Sequence, residues 1–369
     1  MTSARIVAAT VALLRGLIRP EASAIQGSDF GAGLDWEQMV AFASAQLVLP
    51  ALYPAILQTG IVPPEDAVDF LQQITAANAT RNVEMYNALL HIGARLNGCG
   101  LQPVLLKGAG VLASDPLSAS PWRFLSDIDL LVPSPALPNA VAALRDLGFT
   151  PRDIDYDPAR DAHYPALIAP GRRFAVELHT RLFADSSLPG LEARLPQQAL
   201  AVLRDGVVFR VPARADRIAH LIAHAQLHHG HFWARRLLLR GFLELSVIAS
   251  GPQPEGLWET VLQVFASQEQ RRAATSFLAA WPLLMGNSAL PPAASGDDSA
   301  WAADAVVRLG SGTRLRTVSA LLAMGRRELA RALSDGTVLR RHLRTLFSPS
   351  AARTRIARHR DRLRQTYWA

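Results

Sequence analysis

The chain predicts an α+β fold, a small mixed-sheet core set between N- and C-terminal helical regions. Apolar residues recur at helical spacing through the first hundred residues and again after residue 214, whereas residues 101–181 break into short apolar runs separated by glycine and proline. In that middle stretch the order reads strand, helix, strand, helix, then strands, which indicates a mixed sheet carrying helices. Half of the 369 residues are apolar, enough for two or three units with real cores and too many for disorder on a large scale. The expected division is 1–98 helical, 99–213 an α/β core, and 214–369 helical with an arginine-rich end.

The elements follow in order. Arg5 precedes an apolar run, Ile6 to Leu14, interrupted by Arg15 and Arg19 and followed by no small-residue cleavage site, so it reads as an amphipathic helix rather than a signal peptide. Asp35 and Gln38 have capping-box spacing and open a helix with Trp36, Met39, Phe42 and Ala43 on its buried side, which Pro50 and Pro54 should break. Pro63-Pro64-Glu65 starts a long helix in which Val68, Leu71, Ile74, Met85, Leu89, Ile92 and Leu96 recur until Gly98 and Gly100. Gln102 to Leu106 is a buried strand that enters a tight turn at Lys107-Gly108, and Ala109 to Ala113 can begin a helix. Ser126 to Val132 is the next strand. Ser134-Pro135 provides an N-cap and a first-turn proline for a helix striped by Leu137, Val141 and Leu144 and ended by Gly148. A strand near His163 to Ile168, a turn at Gly171 and a strand over Phe174 to Arg181 complete the core. Beyond Arg214, His220, His224 and His228 fall at i, i+4 intervals, and Leu237 to Ile248 continues the helical periodicity. Gly251 to Glu255 and Pro291 to Asp298 read as loops.

Composition narrows the function classes. Cys99 is the only cysteine, which excludes an internal disulfide framework and a cysteine-based zinc site and fits a reducing compartment, the cytoplasm by default. The longest uncharged stretch, Ala41 to Pro64, contains Gln46, Pro50, Pro54, Gln58 and Gly60, a poor sequence for a lipid-exposed span, so no membrane insertion is expected. From Asp304 onward fifteen arginines face four acids. That segment offers a patch for nucleic acid or an acidic partner, although arginines spread around helices are more often a solvated face. Of the 38 basic residues 37 are arginine, and Lys107 is the sole lysine, a compact and rotatable point charge in a chain that otherwise uses guanidinium.

The chemistry concentrates at Asp127-Ile128-Asp129. On a strand both carboxylates point one way while Ile128 and Leu130 point into a core, and adjacent carboxylates repel unless a cation lies between them. Hard oxygen ligands at this spacing suit Mg²⁺ bound together with phosphates, whereas the bland reading is a strand edge with two solvated acids. Glu177 stands about fifty residues on, on a strand where Glu177, His179 and Arg181 share a face.

A glycine after a buried strand, Asp-x-Asp on the next strand and a third acid on a later strand together resemble the DNA polymerase beta-like nucleotidyltransferase superfamily. The closer resemblance is to an uncharacterised nucleotidyltransferase family, through Leu106-Lys107-Gly108, Arg123, Asp127 to Val132 and Glu177-Leu178-His179. The resemblance implies that Asp127, Asp129 and Glu177 are catalytic metal ligands for Mg²⁺ (or Mn²⁺), with Glu177 completing the site or acting as general base. It also implies that Lys107, Gly108, Arg123 and His179 bind the nucleotide. Gly108 would let backbone N–H groups approach phosphate oxygens; Lys107 and Arg123 would neutralise phosphate or else pair with the acidic strand; His179 would touch substrate or bond a neighbouring acid. Ala109 departs from the pattern where serine is common, so no side-chain hydroxyl reaches phosphate there. His224 matches a histidine of the family's helical region, and Glu244 stands in place of aspartate.

The implied activity is transfer of an NMP group from an NTP to an unidentified acceptor: a small molecule, a peptide, RNA or a protein. Alternatives are a non-catalytic nucleotide-binding or interaction module of the same fold, and a nucleic-acid binder using the basic C-terminal helices. The run His220, His224, His228, His229 and His231 has spacing that could ligate a metal, but it lacks an acid and reads better as a helix face lining the cleft.

Overall fold

The protein is described from a computed structural model, in which residues 4–19, 33–114, 122–152, 156–184, 187–286 and 295–310 are placed. The expected arginine-rich end lies almost wholly outside the described residues, as does the Pro291 end of the second expected loop.

Four helices come first: α1 (Ala4–Ile18), α2 (Trp36–Ala45), α3 (Leu49–Thr59) and the long α4 (Glu65–Gly98). Asp35 caps α2, its side chain accepting from the Gln38 N–H and amide. The helix opened by Asp35 does end before Pro50, at Ala45, but the two prolines fall within a new helix instead of ending the helical run. Pro50 sits in the first turn of α3, where no N–H partner is lost, and Pro54 is carried inside it.

The sheet follows, from β1 (Val104–Leu105), α5 (Lys107–Ser114), β2 (Asp127–Leu131), α6 (Leu137–Asp146), β3 (Thr150–Pro151), β4 (Leu167–Ile168), β5 (Ala175–His179), α7 (Pro189–Gln198), β6 (Leu200–Arg204) and β7 (Val207–Val211). Its seven strands lie in the order β3-β4-β5-β2-β1-β7-β6, with β2 parallel to β5, β1 antiparallel to β2, and β7 parallel to β1. The β6–β7 hairpin was not expected. Leu200 and Leu203 are exposed on an edge strand, so its burial pattern is weak, and its Asp205-Gly206 turn is the signal that betrays it. Ser134 also differs from expectation. Residues Ser134–Ala136 form a 3₁₀ turn ahead of α6, and no side chain caps the helix.

A second helical layer follows among the described residues: α8 (Arg214–Ile222), a π-helical turn (Ala223–His228), α9 (His231–Ala234), α10 (Leu239–Ile248), α11 (Leu257–Gln263), α12 (Gln268–Met285) and α13 (Gly296–Val307). Ser295 caps α13, so residues 296–298 are helical rather than loop. Helix α1 packs against α3, α10 and α12, tying the N-terminal helices to the C-terminal ones. No helix among the described residues is long and apolar enough to cross a membrane.

Strand alternation divides the molecule into two cores. Ile128, Leu130, Val176 and Leu178 join Met85, Leu89 and Ile92 of α4 and Leu144 of α6 on one side of the sheet. Val104, Leu106 and Leu131 join the cluster built by α1–α3, α8, α10 and α12 on the other. The acidic residues therefore open toward the C-terminal helices. Helix α4 can lie close to the sheet because residue 93 is glycine: a Cβ there would strike the Phe209 ring and come within 2.6 Å of Val207 Cγ1.

Gly93→Ala should cost about 1–3 kcal/mol through overpacking against β7. Gly98→Ala, at the open end of the same helix with nothing within 4 Å of the added methyl, should be neutral or stabilising. Thermal unfolding of the two variants side by side checks this, and equal melting temperatures would refute the close packing.

Candidate functional site

The parallel register sets Asp129 beside Glu177 and Leu131 beside His179, so the alternation that buries Ile128 and Leu178 gathers the polar groups on the opposite face. Asp129 is 1% exposed. Its Oδ1 accepts from Lys107 Nζ at 2.7 Å and lies 2.9 Å from His179 Nε2, which in turn is 3.4 Å from Glu177 Oε2. Its Oδ2 is buried and has no hydrogen-bond partner. One ligand atom from each of Asp129, Glu177 and His179 lies within 4.8 Å of the others, the one such trio among the described residues. Asp127, first residue of β2, shares the face but stands outside that trio; it is half-buried, with Ser126 Oγ 3.1 Å from its Oδ1.

Electrostatics bind these groups into one unit. Burial pushes the Asp129 carboxyl up, but the Lys107 ammonium and the His179 bond outweigh it and hold it far below the usual carboxylate range. Glu177 is likewise opposed by burial and held below its ordinary value by His179. Burial disfavours charge on His179 and Lys107, yet Asp129 and Glu177 raise both above their ordinary values. Asp127 has no such compensation. Burial, reinforced by Asp129 and only partly offset by Lys107, pushes it up to about 6.

The residues fit a hard divalent cation. Two carboxylates face each other across a parallel ladder, one of their oxygens is buried and orphaned, and His179 Nε2 is already engaged by both acids while its Nδ1 lies buried without a partner; carboxylate oxygens are the donors a hard cation prefers. Lys107 is the cation that the fold itself supplies. Its backbone sits in the left-handed region at φ 44°, a conformation that costs a side-chain-bearing residue on the order of 1 kcal/mol. That bend turns the chain from β1 into α5 and aims Nζ at Asp129. Gly108 follows it in the first turn of α5, whose leading N–H groups have no partner within the helix. A Cβ on Gly108 would meet Leu125 Cδ2 at 2.5 Å, so packing against the segment before β2 also requires glycine here.

Arg123 departs from one of the two expectations for it, ion pairing with the acidic strand. It does not reach the acidic strand; it is 4% exposed and pairs through Nη2 with Glu244 Oε1 of α10 at 3.3 Å. Its carbonyl is held by two side chains of α4, Asn78 Nδ2 at 2.8 Å and Asn82 Nδ2 at 2.9 Å. Neither asparagine was singled out in the sequence, although two amides at i, i+4 within an otherwise apolar stripe are the available signal.

The histidine run lines the cleft only in part. His220 and His224 border a cavity with Lys107, Arg123, Arg217 and Arg240, while His228 and His229 are exposed. The π-helical turn over Ala223–His228 breaks the i, i+4 face that an uninterrupted helix would make, and no three of these histidines bring ligand nitrogens within 4.8 Å. Burial, with Lys107 adding, pulls His220 down to about 3, so it is a neutral wall.

A family profile described as an uncharacterised nucleotidyltransferase matches residues 32–286, which include every one of these groups. No curated protein matches the chain.

The raised Asp127 value carries a sign. An acid whose folded value lies near 6 and whose unfolded value lies near 4 is destabilising when ionised, and the penalty grows from about pH 4 to about pH 6 and is complete above. In the presence of a chelator, Asp127→Asn should therefore raise the melting temperature at pH 7.5, and the gain should shrink as the pH is lowered through 6 toward 4. A gain that is constant over this range, or a loss at pH 7.5, would show that the crowding of charge is absent.

Proposed function

The chain belongs to the uncharacterised nucleotidyltransferase family, and from that premise we propose that it transfers an NMP group from an NTP to an acceptor hydroxyl, phosphate or protein side chain. The observation that carries this reading is the group Asp129, Glu177 and His179 beside the Lys107-Gly108 turn. Asp127, Asp129 and Glu177 would hold Mg²⁺ or Mn²⁺. Such an ion supplies Lewis-acid stabilisation of the phosphates and lowers the pKa of an acceptor hydroxyl.

The chain's own groups divide the remaining work. Asp129 offers Oδ2, because Lys107 and His179 already occupy Oδ1. His179, donating to Asp129 and within reach of Glu177, fixes both carboxylates and is a positioning residue. Glu177, held below its ordinary value, suits a ligand better than a general base, since an efficient base titrates near the working pH. Lys107 presents three rotatable N–H donors at the junction of the acidic strand and the α5 N-terminus, so an α-phosphate would meet the ammonium beside the positive end of that helix. The acceptor would enter from the side of the C-terminal helices, toward which the acidic face opens.

The test is transfer from α-³²P-labelled NTPs with Mg²⁺ or Mn²⁺ in an extract supplying acceptors, together with metal-dependent NTP binding by the purified chain. Asp127→Ala and Asp129→Ala should each lower transfer by about a hundredfold or more and weaken metal-dependent binding. Variants that transfer and bind like the wild type would end this reading.

A further inference from the structure

The cavity between Lys107 of α5 and the helices α8 and α10 has an unbalanced charge. It is lined by four cations, Lys107, Arg123, Arg217 and Arg240, and by one carboxylate, Glu244. Lys107 is answered by Asp129. Arg123 Nη2 and Arg240 Nε share a single oxygen, Glu244 Oε1, at 3.3 and 3.4 Å, and Arg123 Nε is buried with no partner. Arg217 makes no side-chain hydrogen bond or ion pair among the described residues. Burial, with Arg123 adding, pulls it down to about 10. His220 and His224, the other polar lining groups, are neutral and bring no counter-charge. Three guanidiniums against one lining carboxylate leave a positive excess in the wall: Arg123 is buried, Arg217 and Arg240 are half-buried, and Arg240 also feels Asp127 across the cleft.

Proteins rarely keep buried charge without a partner, because the desolvation penalty is several kcal/mol per ion. A ligand of complementary charge removes the imbalance. It needs about two negative charges and several acceptor oxygens arranged for forked donors, which is the chemistry of a phosphoryl group rather than of a single carboxylate.

We propose that this cavity is the subsite for the terminal phosphates of the NTP, with Arg217 as its principal free donor and Arg123 and Arg240 beside it. This rests on the nucleotidyl-transfer reading and extends it: the nucleotide lies from the acidic strand, past Lys107, into the wall of α8 and α10. Glu244 bridges Arg123 and Arg240 through one oxygen, Oε1. The subsite selects triphosphates over monophosphates, and it holds the departing pyrophosphate.

The experiment is calorimetric titration of the full chain, with Mg²⁺, by inorganic tripolyphosphate, ATP and AMP, with thermal melting of the ligand-free protein alongside. Arg217→Met should weaken tripolyphosphate and ATP by about tenfold to a hundredfold and leave AMP unchanged, because only charge-assisted bonds to the tail are lost. The same variant should melt higher than the wild type without ligand, since a half-buried charge without an ion-pair partner is replaced by an apolar side chain; loss of an arginine with a merely structural role would lower the melting temperature. Glu244→Gln should bind tripolyphosphate at least as tightly as the wild type, because a competing anion is removed. ATP binding that ignores Arg217 overturns the subsite while leaving the transfer reading intact. Tripolyphosphate that binds together with ATP instead of displacing it assigns the cavity to a phosphate on the acceptor and also overturns the proposal. No ATP binding by any variant, with tripolyphosphate still sensitive to Arg217, removes the nucleotide reading itself and the tail assignment with it.

Discussion

Three carboxylates on adjacent parallel strands repel one another, and the fold has to answer that repulsion without dispersing it. It does so with one ammonium and one imidazole. Lys107 and His179 both engage Oδ1 of Asp129, so the most buried acid is the best compensated. Asp127, at the strand's entry, bears the remainder, and its carboxyl is the one pushed up instead of down. The asymmetry has a chemical consequence: one oxygen of Asp129 is saturated and the other is left bare in a buried place. A cluster satisfied throughout would be a structural ion-pair network. This one is satisfied at Oδ1 of Asp129 only, and Oδ2 is left without a partner.

The same sheet decides what stands opposite. Because Ile128, Leu130, Val176 and Leu178 are consumed by the core under α4 and α6, the polar face must be covered by whatever packs on the second core, and that is α8 and α10. These helices bring arginines where the strands bring acids. Arg123 joins the two layers, with its carbonyl held by Asn78 and Asn82 of α4 and its guanidinium paired to Glu244 of α10. A helix on one side of the sheet thus fixes a charge that acts on the other. The cleft is polarised from end to end, carboxylates at the strands and guanidiniums at the helices, with Lys107 between them. Such a field suits a ligand that carries a cation at one end and phosphoryl charge along its length.

Much of this was legible before any coordinates. The strand order around Asp127 and Glu177, the long α4 and the turn at Lys107-Gly108 follow from periodicity and from where glycine and proline fall, because those elements are buried on one face and their patterns are strong. The β6–β7 hairpin was missed because Leu200 and Leu203 lie exposed on an edge, so the alternation that normally marks a strand is blurred. Pro50 and Pro54 misled because a proline in a first turn costs a helix nothing, and the surrounding apolar residues hold α3 together past the second. In the site, the acids and Lys107 could be singled out because residue type and spacing state their chemistry. Asn78, Asn82, Arg217 and Arg240 could not, since their meaning depends on which helix packs against which strand, and a chain with 37 arginines gives no reason to prefer any of them.

That composition makes the one exception informative. In a chain where guanidinium has replaced ammonium everywhere else, residue 107 combines an unfavourable backbone, at φ 44°, with the shortest cationic reach available. Glycine would relieve the backbone and lose the charge. Arginine would keep the charge but needs room for a planar fork, and its fixed geometry favours bidentate pairing with one carboxylate. Lysine offers a point charge with three donors that rotate. It can sit between Asp129, Glu177 and Asp127 without committing to one of them, as the shared influence of all three on its ionisation reflects. Under the proposed transfer reaction, a cation that neutralises acids at one moment and would neutralise a phosphate at the next gains from donors that are not fixed in direction. The strain at residue 107 is therefore tolerated for the position of Nζ, bonded to Asp129 of the acidic half while Lys107 lines the cavity of the basic half.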